Sequence, residues 1–352
     1  MKICDIAKII NNKIEGTILN NSHYISTENM IGNCGGVVDS SSVPTTKVTQ
    51  FTQGDILLSN IRPYFKKVWF SVFDGGCSND VICIRTTSDS CLAKYLYYAL
   101  CTDKFIDTFS ASSKGTKMPR GDKNALLSYE IPDRNIAEQQ HIVDILGSID
   151  DKIENNGKII ENLEQFAIAE YQKITKEADS FICLGDVIDI FDSKRKPLSS
   201  REREAKKGSY RYFGATGVLD YVNNYLFDGE YVLLAEDGTV IDAEGFPIVQ
   251  LVTGQFWINN HAHIMQAKSN YTNYSLYVAL KRLQVKEAVT GAVQLKINQA
   301  NLCALELPYI TPDVLLGYNN MIEPMFKKII HIRNENEVLN KLKQLYLQKF
   351  FG

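Results

Sequence analysis

Two long stretches of the chain, residues 136–177 and 312–352, space their apolar positions alternately four and three apart. In the first, Ile142, Leu146, Ile149, Ile153, Asn156, Ile160 and Leu163 fall on one line; in the second, Tyr318, Ile322, Met325, Ile329, Ile332, Asn336 and Leu339 do. That spacing keeps one seam of a helix turned toward a partner helix, so it predicts two helices that pair as a coiled coil. A helix of about forty residues spans roughly 60 Å, several times the average globular helix. The alternative is two amphipathic helices, each packed on its own domain. The start of the first helix is marked twice. Pro132 ends the extended run "LLSYEIP", and Asn135 with Glu138 has the spacing of a capping box. Thr311 followed by Pro312 marks the second start, because proline is tolerated at the first helical position.

The segments in front of the helices, 1–135 and 178–311, read differently. Strand-like runs ("GDILLSN", "KKVWFSVF", "DVICIRT") precede one helix-like stretch, "CLAKYLYYALCTDKFIDTF"; the second segment repeats the plan with "EYVLLAED", "PIVQLV", "AHIMQA" and "YSLYVALKRLQVKEAV". Single residues recur at an offset of 176, half of the 352-residue length: Leu57 and Leu233, Gly115 and Gly291, Leu126 and Leu302, Glu130 and Glu306, Ile153 and Ile329. Around Asn79-Asp80 and Asn260-His261 the offset drifts to 181, so loop lengths differ while the framework persists. The chain is therefore expected to be two tandem copies of one mixed α/β unit. Copies related by an internal pseudo-two-fold would run their helices antiparallel. Facing positions then have a constant number sum, and an Asn156–Asn336 pair in the seam would set the register.

Composition adds little until charge is read locally. A 45% hydrophobic, 22% charged chain is ordinary for packed domains, and a net charge of −3 carries no overall nucleic-acid signature. No apolar run reaches membrane-spanning length and no signal-peptide core is apparent, which suggests a cytoplasmic protein without a membrane partner. The eight cysteines are scattered without C-x-x-C spacing and are expected to be reduced packing residues. Positive charge gathers in three runs. "SNIRPYFKK" holds Asn60, Arg62, Tyr64, Lys66 and Lys67; "SKGTKMPRGDK" holds Lys114, Thr116, Lys117 and Arg120; "KRKPLSSREREAKKGSYRY" holds Lys194, Arg195, Lys196 and Tyr212, with eight basic residues against two acidic. Lys and Arg mixed with Asn, Gly and Tyr suit phosphate and base-edge contacts, although any single run is usually a solvated face.

Taken together, these residues resemble the specificity (S) subunit of type I restriction-modification systems, over the whole chain. The resemblance lies in "YISTENM", "GDILLSNIRPYFKK" and "DGGCSND", in "YRYFGATGVLDYVNNYLFDGEYVLLAEDG" and "FWINNHAHI", and above all in the helical pattern of Pro132, Glu138, Gln139, Ile142, Leu146, Ile149, Asp150 and Ile153. The second helix departs from that pattern, lacking the Glu-Gln pair. The resemblance implies target recognition domains at 1–135 and 178–311, each reading one half of a split, asymmetric site in double-stranded DNA. The conserved helices would act as spacer and dock methyltransferase (M) subunits, which use S-adenosylmethionine, with restriction (R) subunits supplying an ATP- and Mg-dependent endonuclease. The S chain itself would be non-catalytic and bind no cofactor. Candidate DNA contacts then include Asn79, Thr216, Asn260, His261, Thr290, Gln294 and Lys296. Glu236 and Asp237 are candidate acceptors for cytosine N4.

Two other classes stay open on sequence alone: the specificity module of a different DNA-modifying system or a stand-alone DNA-binding protein, and a nuclease. No phosphate loop, dinucleotide fingerprint or amino-methyltransferase signature occurs. His261 and His263 lack further ligands at metal spacing. Glu236-Asp237 and Asp192 are the only hint of a carboxylate cluster.

Overall fold

The computed structural model describes residues 1–352 apart from 114, 116, 117 and 292–294, so Lys114, Thr116, Lys117 and Gln294 lie outside the described residues. The chain divides into two compact mixed α/β units, Met1–Glu154 with Asn336–Gly352, and Asn155–Glu335. The division falls inside the long helices because each unit takes part of both helices into its own core.

In the first unit, Val81–Thr86 lies between Ala7–Ile10 and Ile56–Ser59, with Val68–Phe70 beyond, all antiparallel. Every residue of Ile56–Ser59 is buried, which is why this strand reads as an unbroken apolar run. Successive side chains go to opposite faces. Ile56, Leu58, Ile82 and Ile84 join the cluster under the helices, with Tyr95, Leu96 and Leu100 of Ala93–Leu100. Leu57, Trp69, Cys83 and Ile10 face a second small sheet, where they meet Phe51 and Cys77. Burial pushes the Cys77 thiol up to about 12, as expected of a packing residue. All eight cysteines are free.

The second unit repeats this frame within a six-stranded sheet, in which Ala262–Ala267 lies between Ile188–Ile190 and Phe227–Ala235, with Val249–Ile258 beyond. Register is kept residue for residue. Ile56 facing Ile84 becomes Val232 facing Met265; Ile56 facing Phe70 becomes Val232 facing Leu251; Ala7 facing Thr86 becomes Ile188 facing Ala267. The strand Ile56–Ser59 follows the offset of 176 and its neighbours follow 181, so the loops between them absorb the difference.

The long helices are Ile136–Thr175 and Pro312–Phe351, each 40 residues, and Asn135 and Glu138 form the expected reciprocal cap. They run antiparallel within each unit. In the first, Arg134 reaches the Phe350 carbonyl (3.1 Å) and Lys343 Nζ meets Asp150 (2.5 Å). In the second, Asn156 donates to Glu335 (2.8 Å), Arg333 to Glu164 (2.8 Å) and the Tyr318 hydroxyl to the Ala167 carbonyl (2.8 Å). Among the seam positions, Ile142, Leu146, Ile149, Asn156, Tyr318, Ile322, Ile329 and Ile332 are buried. Ile153, Ile160, Leu163, Met325, Asn336 and Leu339 are half-buried. Beside Met325, it is Phe326 that is fully buried, stacked on Tyr274 (centroids 5.1 Å apart) of the helix Asn273–Lys281. The helices thus pack on their domains as well as on each other.

Gln139 shows the domain contact most clearly. It is 0% exposed, accepts from Leu92 N (2.8 Å) and donates to the Ser90 and Arg134 carbonyls. Its carboxamide supplies a cap for Ala93–Leu100, whose N-cap residue Leu92 has no side-chain oxygen. In the second unit, buried Asn319 plays the matching part, bonding the Asn270 carbonyl and the Thr272 hydroxyl ahead of Asn273–Lys281.

Candidate nucleic-acid interface

Several of the predicted DNA contacts, Asn60, Arg62 and Arg120 in the first unit and Glu236, Asp237, His261 and Lys296 in the second, lie on the same edge of each sheet, where the two central strands meet a returning loop. In the first unit three backbone bonds fasten this edge. Asn60 N donates to the Asp80 carbonyl (2.8 Å), Arg62 N to Pro119 (2.9 Å) and Gly121 N to Asn60 (3.1 Å), and Ile61 bridges to Arg120. In the second, Glu236 N donates to the His261 carbonyl (2.8 Å), Gly238 N to Leu295 (3.0 Å) and Ile297 N to Glu236 (2.9 Å), and Asp237 bridges to Lys296. The two platforms agree bond for bond at the offsets read from the sequence. They also share a backbone conformation. Arg62 has φ +49°, and its counterpart Gly238 has φ +81°. Glycine adopts the left-handed region freely, whereas arginine there is strained.

On the first platform Arg62 is exposed, and Tyr64 and Phe65, in the turn Pro63–Phe65, are 53% and 45% exposed with rings 4.7 Å apart. Arg120 is exposed with one nitrogen 2.8 Å from Asp80. Three candidates are tied inward. Lys66 pairs with Asp103, Lys67 donates to the Thr27 carbonyl (2.5 Å), and Asn79 accepts from Lys13 (2.8 Å). Burial lowers the Lys67 ammonium below the usual lysine value. The Asn60 side-chain oxygen is buried without a partner among the described residues.

On the second platform Lys196, Thr216, Asn260, His261, Thr290 and Lys296 are exposed. Lys194 lies over the Phe191 ring (5.0 Å). Tyr212 must be corrected: it is 1% exposed and its hydroxyl accepts from Leu198 N (2.8 Å), so it is core and out of reach of DNA. Arg195 and Glu236 are likewise taken up internally. Arg195 contacts Asp192, Glu236 (2.7 Å) and the Ala262 carbonyl (2.6 Å), and all three charged side chains are about nine-tenths buried. Lys296 Nζ adds a further contact to Glu236 (3.1 Å). Burial alone raises a carboxylic acid, but Arg195, His263 and Lys296 together hold Glu236 below the ordinary glutamate value.

Asp192, Glu236 and His263 bring ligand-type atoms within 4.8 Å of one another. Their valences are already spent. Arg195 and Lys296 counter the carboxylates, and His263 directs one ring nitrogen to Asp192 (2.5 Å) and the other to the Ile297 carbonyl (2.8 Å). A cation would have to displace a buried guanidinium, so the cluster braces the strand ends rather than offering an open metal site. The sequence groups Asp192 with Glu236-Asp237 as a carboxylate hint and sets His263 apart; that His263 joins them depends on the fold.

Comparison with known proteins agrees with this geometry. Residues 1–165 and 178–311 match the family model described as type I restriction modification DNA specificity domain. A putative type I restriction enzyme specificity subunit, S.HindORF215P of Haemophilus influenzae, is 35% identical over 125 residues, 36% of this chain and under a third (31%) of that protein. The type I restriction enzyme MjaIX specificity subunit of Methanocaldococcus jannaschii is 24% identical over 303 residues, 75% of this chain and 69% of that one. The crystal structure of the type I restriction-modification system S subunit from M. genitalium superposes over 100% of this chain and 95% of its own, with TM-score 0.58 at 18% identity, which shows a shared fold. Two domain matches on one chain, on two platforms that repeat each other, place it: the chain belongs to the type I restriction modification DNA specificity domain family.

Proposed function

We propose that this chain is the DNA-reading subunit of a type I restriction-modification complex, with each platform addressing one half of a split double-stranded site. The observation that carries the reading is the bond-for-bond repetition of an exposed edge, on which the side chains differ. Arg62 and Arg120 stand where the second copy has Gly238 and Lys296, and the exposed Tyr64 has the buried Val240 as its counterpart. A shared frame with different side chains suits two half-sites of different sequence, hence an asymmetric target. The chain is a non-catalytic component, and the long helices serve as spacer and as the docking surface for methyltransferase subunits. Those partners use S-adenosylmethionine, and restriction subunits use ATP and Mg. Among the described residues no helix is long and apolar enough to cross a membrane, which fits a cytoplasmic complex.

Exchange of residues 1–135 for the corresponding domain of another family member tests this. Mapping the methylated sites in cells carrying the chimera is expected to show one half of the target changed and the other kept. A change in both halves, or in neither, overturns the reading.

A further inference from the structure

Beside His261 lies a recess of about 460 Å³, walled by the turn Gly214–Gly217 on one side and Asp237–Thr239 on the other, with Asn259 among its lining residues. The turn is closed by Gly214 N donating to the Gly217 carbonyl (2.8 Å), and Gln250 holds it from behind through the Ala215 carbonyl (3.0 Å). Two polar groups are left over here. His261, 49% exposed at the side chain, commits Nδ1 to Asp237 (2.6 Å). An ionised carboxylate only accepts, so Nδ1 carries a hydrogen, and in that tautomer Nε2 presents a lone pair. Asn259 is 5% exposed and commits its oxygen to His261 N (2.8 Å), while its amide nitrogen, a donor, has no partner among the described residues. One acceptor and one donor therefore line the same recess, which is large enough for a base edge.

We infer that this recess reads an adenine in the half-site of the second domain: Asn259 Nδ2 donates to N7, and His261 Nε2 accepts from the N6 amino group. Adenine presents that acceptor–donor pair in the major groove; guanine presents two acceptors, and cytosine a donor alone. Asp237 is a positioning residue, because it sets the imidazole tautomer and makes no contact with the base. The inference rests on the DNA-reading proposal and names its chemistry at one position.

The test uses the full-length chain and a randomised duplex library, followed by modified bases in the recovered site. Wild type is expected to recover a half-site with a fixed adenine. Replacing that adenine with hypoxanthine (amino to oxo) or with 7-deazaadenine (N7 removed) should weaken binding about tenfold each. His261→Ala should lose the hypoxanthine penalty and keep the 7-deaza penalty; His261→Gln, whose side-chain oxygen also accepts, should restore the first. Unfolding midpoints of both variants confirm that they fold. If His261→Ala keeps the wild-type penalty at every adenine of the site, the inference is wrong. Recovery of no preferred sequence by wild type overturns the DNA-reading proposal itself, and the inference with it.

Discussion

Arg62→Gly separates what the first platform needs in order to fold from what it needs in order to read. Arg62 sits at φ +49°, where an L-residue costs about 1–2 kcal/mol relative to the right-handed region. Glycine removes that cost but gives back about 0.5–1 kcal/mol through the larger freedom of its unfolded chain. The side chain is exposed, and Arg62 N donates through the backbone to Pro119 (2.9 Å), a bond glycine keeps. The balance is a variant as stable as wild type or up to about 1.5 kcal/mol more stable, read by urea unfolding at constant slope. The second copy already has glycine at this position, Gly238. DNA binding should move the other way. If Arg62 touches a phosphate, the dependence of log affinity on log salt should flatten by about one. If it touches a base, about 1–3 kcal/mol of selectivity should vanish at one position of one half-site. Loss of more than about 1 kcal/mol of stability would show that the arginine is structural. Unchanged affinity, slope and selectivity would show that the strain serves no reading function.

Asp150→Asn should destabilise more than Lys343→Met. The Lys343 side chain is 9% exposed and that of Asp150 is 32%. Stranding the buried ammonium costs about 3–5 kcal/mol, whereas the stranded carboxylate keeps the Tyr98 hydroxyl and water. Equal losses in chemical denaturation would contradict this ordering. Gln139→Ala opens Leu92 N and the Ser90 and Arg134 carbonyls at a fully buried site, so a loss of about 2–4 kcal/mol is expected in the same assay, with little change on Gln140→Ala. The Glu236 carboxyl is held below its ordinary value of 4.5, so its contribution is full above that pH and is lost as pH falls through the lowered folded value. The stability advantage of wild type over Glu236→Gln should therefore shrink on acidification from neutral pH, and an advantage that grew would refute the assignment.

The repeat offsets, the helices and their caps were legible because they rest on local signals: apolar spacing, Pro312, and the Asn135–Glu138 pair. The sheet edge was found through its Asn, Arg and Gly residues. What escaped lies in polar groups buried by tertiary contact. Lys343 occupies a seam position that a search for apolar residues passes over, because only Asp150 and the Tyr98 ring make a lysine tolerable there. Gln139 read as part of a helical signature, and its work as a cap for Ala93–Leu100 shows only once that helix is packed beside it. Tyr212 lies in a basic run and was grouped with it, but strand alternation turns it inward while Arg211 stays partly exposed. Arg195 misled in the same way, since a run of charge gives no sign that two acids wait behind one member.

The platforms are fastened by main-chain N–H groups at 60, 62 and 121, and at 236, 238 and 297, rather than by side chains. Any amino acid except proline supplies such a donor. The alphabet at the exposed positions Arg120 and Lys296 is thus only lightly restricted by folding, whereas φ +49° at Arg62 favours glycine and the buried side-chain oxygen of Asn60 limits what can stand there. Those letters can change one at a time while the frame stays intact. A library that varies Arg120 and Lys296 and excludes proline should stay folded almost throughout, whereas one that varies Arg62 should be depleted of β-branched residues among its folded members.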